Sequence, residues 1–149
     1  MKVLLVGSSG GHLTHLYMLK PFWEKTERVW VTFDKEDANS LLTGEKVYHC
    51  FFPTNRSLKA LLINTKMVYT ILKKEKPDVI ISAGAAVAVP YFYLGKLMRI
   101  KLVYMEVFDR MDKLTMTGKL VYPISDAFIV QWPQLKKKYK KAINLGSIF

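Results

Sequence analysis

Six short runs of apolar, β-branched and aromatic residues recur along the chain: Val3–Val6, Val29–Thr32, Val47–Cys50, Val79–Ser82, Leu102–Met105 and Phe128–Val130. Each has strand length and reads as a strand buried on both faces. Stretches with helical spacing lie between them and predict helices over His12–Lys25, Glu36–Leu42, Ser57–Glu75, Ala86–Met98, Thr117–Tyr122 and Pro133–Lys140. Strand and helix in alternation predict βαβ units, and therefore an α/β domain with one doubly wound parallel sheet. The strand order 3-2-1-4-5-6 would put its ligand crevice between the carboxyl ends of the first and fourth strands.

Within Ser57–Glu75, Leu58, Leu61, Leu62, Val68, Ile71 and Leu72 are expected on the buried side, with Lys59, Lys66 and Lys73 opposite. Residues 56–76 carry six basic side chains and one acid, Glu75. That suits an ordinary solvated helix face or a basic amphipathic helix lying on anionic lipid. From Val79 to Gly95, 17 residues run without a charge, at the lower limit of about 17–25 for a spanning helix. Gly84 and Pro90 interrupt the run, so the expectation is a strand, a small-residue turn and a helix able to dip into a bilayer surface.

Composition narrows the function. A chain of 149 residues, half of them hydrophobic, is long enough for one core and excludes intrinsic disorder. Residues 1–149 are thus expected to form a single domain, and a substrate clamp between two lobes of this size would need a second polypeptide. With 23 Lys+Arg against 12 Asp+Glu, the formal charge of +11 favours anionic partners: nucleic acid, a lipid surface, a diphosphate or an acidic protein. A single cysteine, Cys50, permits no internal disulfide and suits the cytosol. The apolar start Val3–Val6 is too short for a signal peptide and ends in a Gly-rich turn. The run Lys136–Lys141 has the charge for nucleic acid but no recognition motif, so nucleic acid is not an expected partner.

Chemistry is expected beyond the strand ends. After the first strand comes Gly7-Ser8-Ser9-Gly10-Gly11-His12, and after the fourth Ala83-Gly84-Ala85-Ala86. The first loop lacks the G-x-G-x-x-G spacing of dinucleotide sites and the Gly-Lys-Ser/Thr of a P-loop. His12 opens the first helix, facing either solvent or a ligand. His15, one turn on, has no Cys or carboxylate beside it, so no metal is expected, nor any cofactor. Glu106 ends the fifth strand and reads either as a buried general base or as an ion-pair partner of Arg110 or Lys113. Gln131-Trp132 after the sixth strand offers an amide and a ring suited to a sugar or to an interface.

Five blocks together carry a resemblance: Gly7–Thr14, Ile81–Pro90, Tyr104–Arg110, Thr117–Pro123 and Phe128–Pro133. In this order they resemble the acceptor-side subunit of the two-part UDP-sugar transferases. These are the asparagine-linked-glycosylation type in eukaryotes and the PssD/CpsF-type partners of bacterial capsule and exopolysaccharide synthesis. The resemblance implies a Rossmann-like domain similar to the N-terminal half of MurG-type GT-B enzymes. It also implies a lipid-diphosphate-linked sugar acceptor, a second subunit holding the UDP-sugar, and a place on the cytoplasmic face of the cell membrane. Such a subunit would transfer a hexose only in complex with its partner.

The resemblance carries the family's Gly-Gly-His turn onto Gly10, Gly11 and His12 and its Glu-x-Phe-x-Arg block onto Glu106, Phe108 and Arg110; acceptor binding is then expected of Gly10, Gly11, Gly84, Ala85, Arg110 and Lys113, and the proton-accepting role of Glu106 or His12. Membrane or partner contact falls to Lys59, Lys66, Tyr91, Phe92, Tyr93, Lys96, Gln131 and Trp132. Eukaryotic members begin with a membrane-spanning helix, which this sequence does not show. They also carry a Gly-Pro type sequence where Ala85-Ala86 stands here. A noncatalytic scaffold that only docks a transferase to the membrane is the alternative.

Overall fold

The computed structural model describes residues 1–50 and 58–149, and the side chains of all of these except 58–61. Leu58, Lys59 and Leu61, assigned faces above, therefore lie outside the described side chains.

Seven parallel strands form one sheet: β1 (Lys2–Val6), β2 (Glu27–Phe33), β3 (Val47–Cys50), β4 (Val79–Ser82), β5 (Lys101–Met105), β6 (Ala127–Val130) and β7 (Ile143–Asn144), in the order 3-2-1-4-5-6-7. The helices are α1 (Gly11–Tyr17), α2 (Lys20–Trp23), α3 (Glu36–Leu41), α4 (Leu58–Glu75), α5 (Ala88–Leu97), α6 (Met116–Val121) and α7 (Pro133–Lys138). The expected order holds, with β7 added at one edge; two residues without an apolar run gave no periodicity to detect.

Successive side chains of each strand point to opposite faces. Leu4, Val6, Val29, Val31, Ile80, Leu102, Tyr104 and Phe128 join Val68, Ile71, Leu72, Tyr91, Phe92, Val121 and Leu135 in the core beneath α4–α7. Val3, Leu5, Trp30, Ile81 and Met105 join Leu13, Leu16, Trp23 and Ala38 on the other face, beneath α1–α3. That second layer stops short. Over β4–β7, Ile81 and Met105 on that face are buried, but Val79, Val103 and Ile129 are only partly so, and Ile143 is exposed.

Two expectations need correction. The helix expected over His12–Lys25 is two helices, because Pro21 has no N–H to give the carbonyl of Tyr17 and its ring crowds that carbonyl. Tyr17 O accepts from Trp23 Nε1 instead (3.2 Å). Leu62 is 70% exposed rather than core-facing, since six residues of helix rotate it well away from the buried row of Val68, Ile71 and Leu72. As expected, the uncharged run Val79–Gly95 divides into β4, a turn and α5, and among the described residues no helix is long and apolar enough to cross a membrane.

Candidate functional site

β1 and β4 are neighbours, with Val6 level with Ser82, so the loops leaving them meet at the crevice. Gly10 sits at φ 79°, ψ −137°, a conformation open only to glycine. Its N–H is held by Asp37 of α3 (3.0 Å to Oδ2). In the facing turn, Gly84 has φ 120° and Ala85 φ 70°, and the Gly84 N–H donates to the buried Ser82 Oγ (3.0 Å).

His12 bridges the two loops. Its Nδ1 lies 2.9 Å from the carbonyl oxygen of Ala83. A carbonyl only accepts, so Nδ1 carries a proton, and in the neutral ring Nε2 has the lone pair. Nε2 has no partner among the described residues, and the side chain is half-buried. His15 is bound on both sides: Nδ1 donates to Gly11 O (2.7 Å) and Nε2 accepts from Phe108 N–H (3.0 Å). It is a strut between α1 and the loop after β5.

That loop, residues 107–114, carries Arg110 and Lys113, both exposed. Glu106, at its root, is 0% exposed. One carboxylate oxygen accepts the Val107 N–H and the other the Thr115 N–H, each at 3.0 Å, while Thr115 Oγ1 lies 3.1 Å from both. Thr115 also caps α6, its Oγ1 accepting the Gly118 N–H (3.0 Å), and Tyr104 OH stands 3.3 Å from the same oxygen. Gly118 is glycine because a Cβ there would run into Glu106 Oε2. Burial raises the Glu106 pKa above its usual range, against the hydrogen bonds from Thr115 and Val107 and the charge of Arg110, which lower it. Burial raises the pKa of Tyr104, whose hydroxyl reaches the Gly84 turn. No ion pair joins Glu106 to Arg110 or Lys113 among the described residues.

Beyond the loop, Trp132 Nε1 donates to Phe108 O, and Gln131 Nε2 donates to Glu106 O (3.0 Å). Gln131 Oε1 accepts the Ile148 N–H (3.0 Å), bringing Phe149 edge-on to His15 and Phe108.

The structure thus brings Gly10, Gly11, His12, Gly84 and Ala85 together, with Arg110 on the loop after β5 at the same edge of the sheet. It does not assemble the expected contact surface as a whole. Tyr91 (1% exposed) and Phe92 (0%) are core residues packed on the sheet, because α5 turns its apolar face inward. Gln131 is buried and Trp132 half-buried, both tying strand ends to loops. Tyr93, Lys66 and Lys96 are exposed. Sequence reasoning missed Thr115; a threonine just before a helical stretch was its N-cap signal. It left Tyr104 and Gly118 without a role because only packing reveals one.

The fold is that of one lobe of the GT-B-type proteins. The crystal structure of MurG from Acinetobacter baumannii matches 89% of this chain at a TM-score of 0.76 and 18% identity, over 42% of its own length. UDP-GlcNAc 2-epimerase from Methanocaldococcus jannaschii, in complex with UDP-GlcNAc and UDP, matches 99% at 0.78 and 15% identity, over 47% of its length. The chain spans less than half of either structure.

Residues 45–148 match the family described as oligosaccharide biosynthesis protein Alg14 like, and the chain belongs to that family. The human UDP-N-acetylglucosamine transferase subunit ALG14 is 27% identical over 179 residues, spanning 99% of this chain and 83% of the human protein. The capsule and exopolysaccharide side of the resemblance finds no support in these relatives.

Proposed function

We propose that the chain is the acceptor-side subunit of a two-part UDP-sugar glycosyltransferase, inactive until a UDP-sugar-binding partner completes the site. The observation that carries this is His12: its ring spans the β1 and β4 loops, pinned to Ala83 O, and its Nε2 has no partner among the described residues, in a chain spanning less than half of the two-lobed structures it resembles. A lipid-diphosphate-linked sugar occupies the crevice, with Arg110 and Lys113 neutralising the diphosphate. Its hydroxyl attacks the anomeric carbon of the UDP-sugar with inversion, UDP leaves, and the proton passes to His12 Nε2. UDP-GlcNAc is the first donor to test, from the name of the human relative.

Two surfaces support the remaining parts. The sheet face over β4–β7, where Val79, Val103 and Ile129 are only partly buried and Ile143 is exposed, suits the partner lobe. The outer face of α4–α6 exposes Leu62, Leu97 and Met116 among Lys66, Lys73, Lys96 and Lys119, which suits peripheral attachment to an anionic membrane.

The test is to coexpress the chain with a UDP-sugar-binding GT-B half and follow label from UDP-GlcNAc into a lipid-diphosphate sugar. Transfer that needs both chains is the expected result. Turnover of a soluble acceptor by the partner alone would establish the scaffold role instead, and no transfer in any combination defeats the proposal.

A further inference from the structure

Residues 107–114 leave the carboxyl end of β5 and return to α6, so the exposed Arg110 lies at the edge of the sheet where the β1–β4 crevice opens. An eight-residue excursion of this kind has backbone polar groups at both ends to satisfy. Here one buried side chain serves both ends: Glu106 takes the first N–H, of Val107, and the first N–H after the loop, of Thr115. Thr115 adds its hydroxyl to the carboxylate and keeps an acceptor for Gly118 N–H, so loop closure and the start of α6 are one hydrogen-bonded unit. One residue past Val107, His15 Nε2 accepts the N–H of Phe108 and Trp132 Nε1 donates to its carbonyl. With its oxygens occupied and no exposed surface, the Glu106 carboxylate has no path to an acceptor hydroxyl.

We propose that Glu106 is a positioning residue: its carboxylate staples residues 107–114 at both ends and thereby holds Arg110 at the crevice in ligand-ready form. This reassigns the carboxylate from the proton-accepting role its sequence position suggested. What Arg110 meets rests on the transferase proposal above; the staple itself does not.

The experiment uses Glu106→Gln, whose amide nitrogen meets backbone donors, and Thr115→Val, which keeps the shape and loses the hydroxyl, with Thr115→Ser as rescue. Exchange of the Val107 and Thr115 amides is followed by NMR on the full chain, and binding is followed with inorganic pyrophosphate. Glu106→Gln and Thr115→Val are expected to accelerate exchange and weaken pyrophosphate binding by about tenfold or more, from loss of charge-assisted hydrogen bonds. Thr115→Ser restores both, and Arg110→Met weakens binding without accelerating exchange. In the two-chain complex, KM for the acceptor rises about tenfold while kcat stays within about threefold and the acidic limb of the pH profile remains.

Unchanged amide exchange, or faster exchange with unchanged pyrophosphate binding, overturns the proposal. So does a collapse of kcat with loss of the acidic limb, which is the signature of a general base. Should Glu106→Gln fail to fold, Thr115→Val alone decides by the same criteria. If the wild-type complex transfers nothing while exchange and pyrophosphate behave as expected, the transferase proposal fails and the staple stands.

Discussion

A methyl group on Gly84 would stand 2.9 Å from Nδ1 of His12 and 3.1 Å from the hydroxyl of Tyr104. The ring therefore packs directly against the backbone of the turn whose carbonyl, Ala83 O, fixes its tautomer. Gly84→Ala meets this contact and also a φ of 120°, which alanine does not adopt without strain. It is expected to lose about 1–3 kcal/mol in urea unfolding and to lower transfer in the two-chain complex by displacing His12. Gly11→Ala is the control: a Cβ there meets nothing within 4 Å, and stability should stay within about 0.5 kcal/mol.

His12→Gln separates the ring's chemistry from its packing. The side chain is half-buried, so the fold should persist with an unchanged melting temperature. A glutamine can still donate to Ala83 O but offers no basic nitrogen to the crevice. In the coexpressed complex kcat is expected to fall about a hundredfold or more, the usual contribution of a positioned general base. Wild-type turnover by this variant would remove His12 from the chemistry.

The doubly wound sheet was legible because its signal is periodic: continuous apolar runs of strand length separated by amphipathic stretches, down to the β1–β4 crevice where Gly10, His12 and Gly84 meet. What stayed hidden depends on which way a side chain turns. Tyr91, Phe92 and Tyr93 are adjacent aromatics, yet α5 buries two and exposes the third, and composition cannot rank them. Glu106 illustrates the same limit more sharply. A carboxylate at a strand end is a fair candidate base, and only the return of Thr115 and Gly118 onto it reveals that its oxygens are taken.

At the opposite end of the sheet, Glu75 predicts acid sensitivity. It lies in the last turn of α4, where the helix dipole disfavours an anion, and its side chain is 2% exposed. Burial would raise its pKa, but hydrogen bonds from Lys2 and Lys46, both at 2.7 Å, and from Tyr48 hold it down at about 2. A depressed carboxylate stabilises the fold above its ordinary value of 4.5 and loses that contribution as pH falls towards about 2. Glu75→Gln should therefore cost about 3 kcal/mol near pH 7, and the gap to wild type should close between about pH 4.5 and pH 2 in urea titrations. Transfer kinetics of the folded variant should be unchanged, because the crevice is at the other strand ends.

The outer layer of α4–α6 makes the last prediction. α5 packs between α4 and α6, and Tyr93 OH donates to Leu120 O (2.8 Å), so the three helices present one continuous surface. On these helices Leu97 is 79% exposed and Met116 73%, and Lys66, Lys73, Lys96 and Lys119 of the same three helices are exposed. Apolar insertion and charge attraction should both contribute to holding this face on an anionic bilayer. Leu97→Ser with Met116→Ser should weaken binding to phosphatidylserine-containing vesicles about tenfold at any salt concentration, since each buried methylene is worth about 0.8 kcal/mol. Lys66→Glu with Lys96→Glu should weaken it at low salt and less so at high salt, where the wild-type attraction is itself screened. Sedimentation with neutral and anionic vesicles reads both, and equal binding of all variants to both lipid compositions would remove this face from membrane attachment.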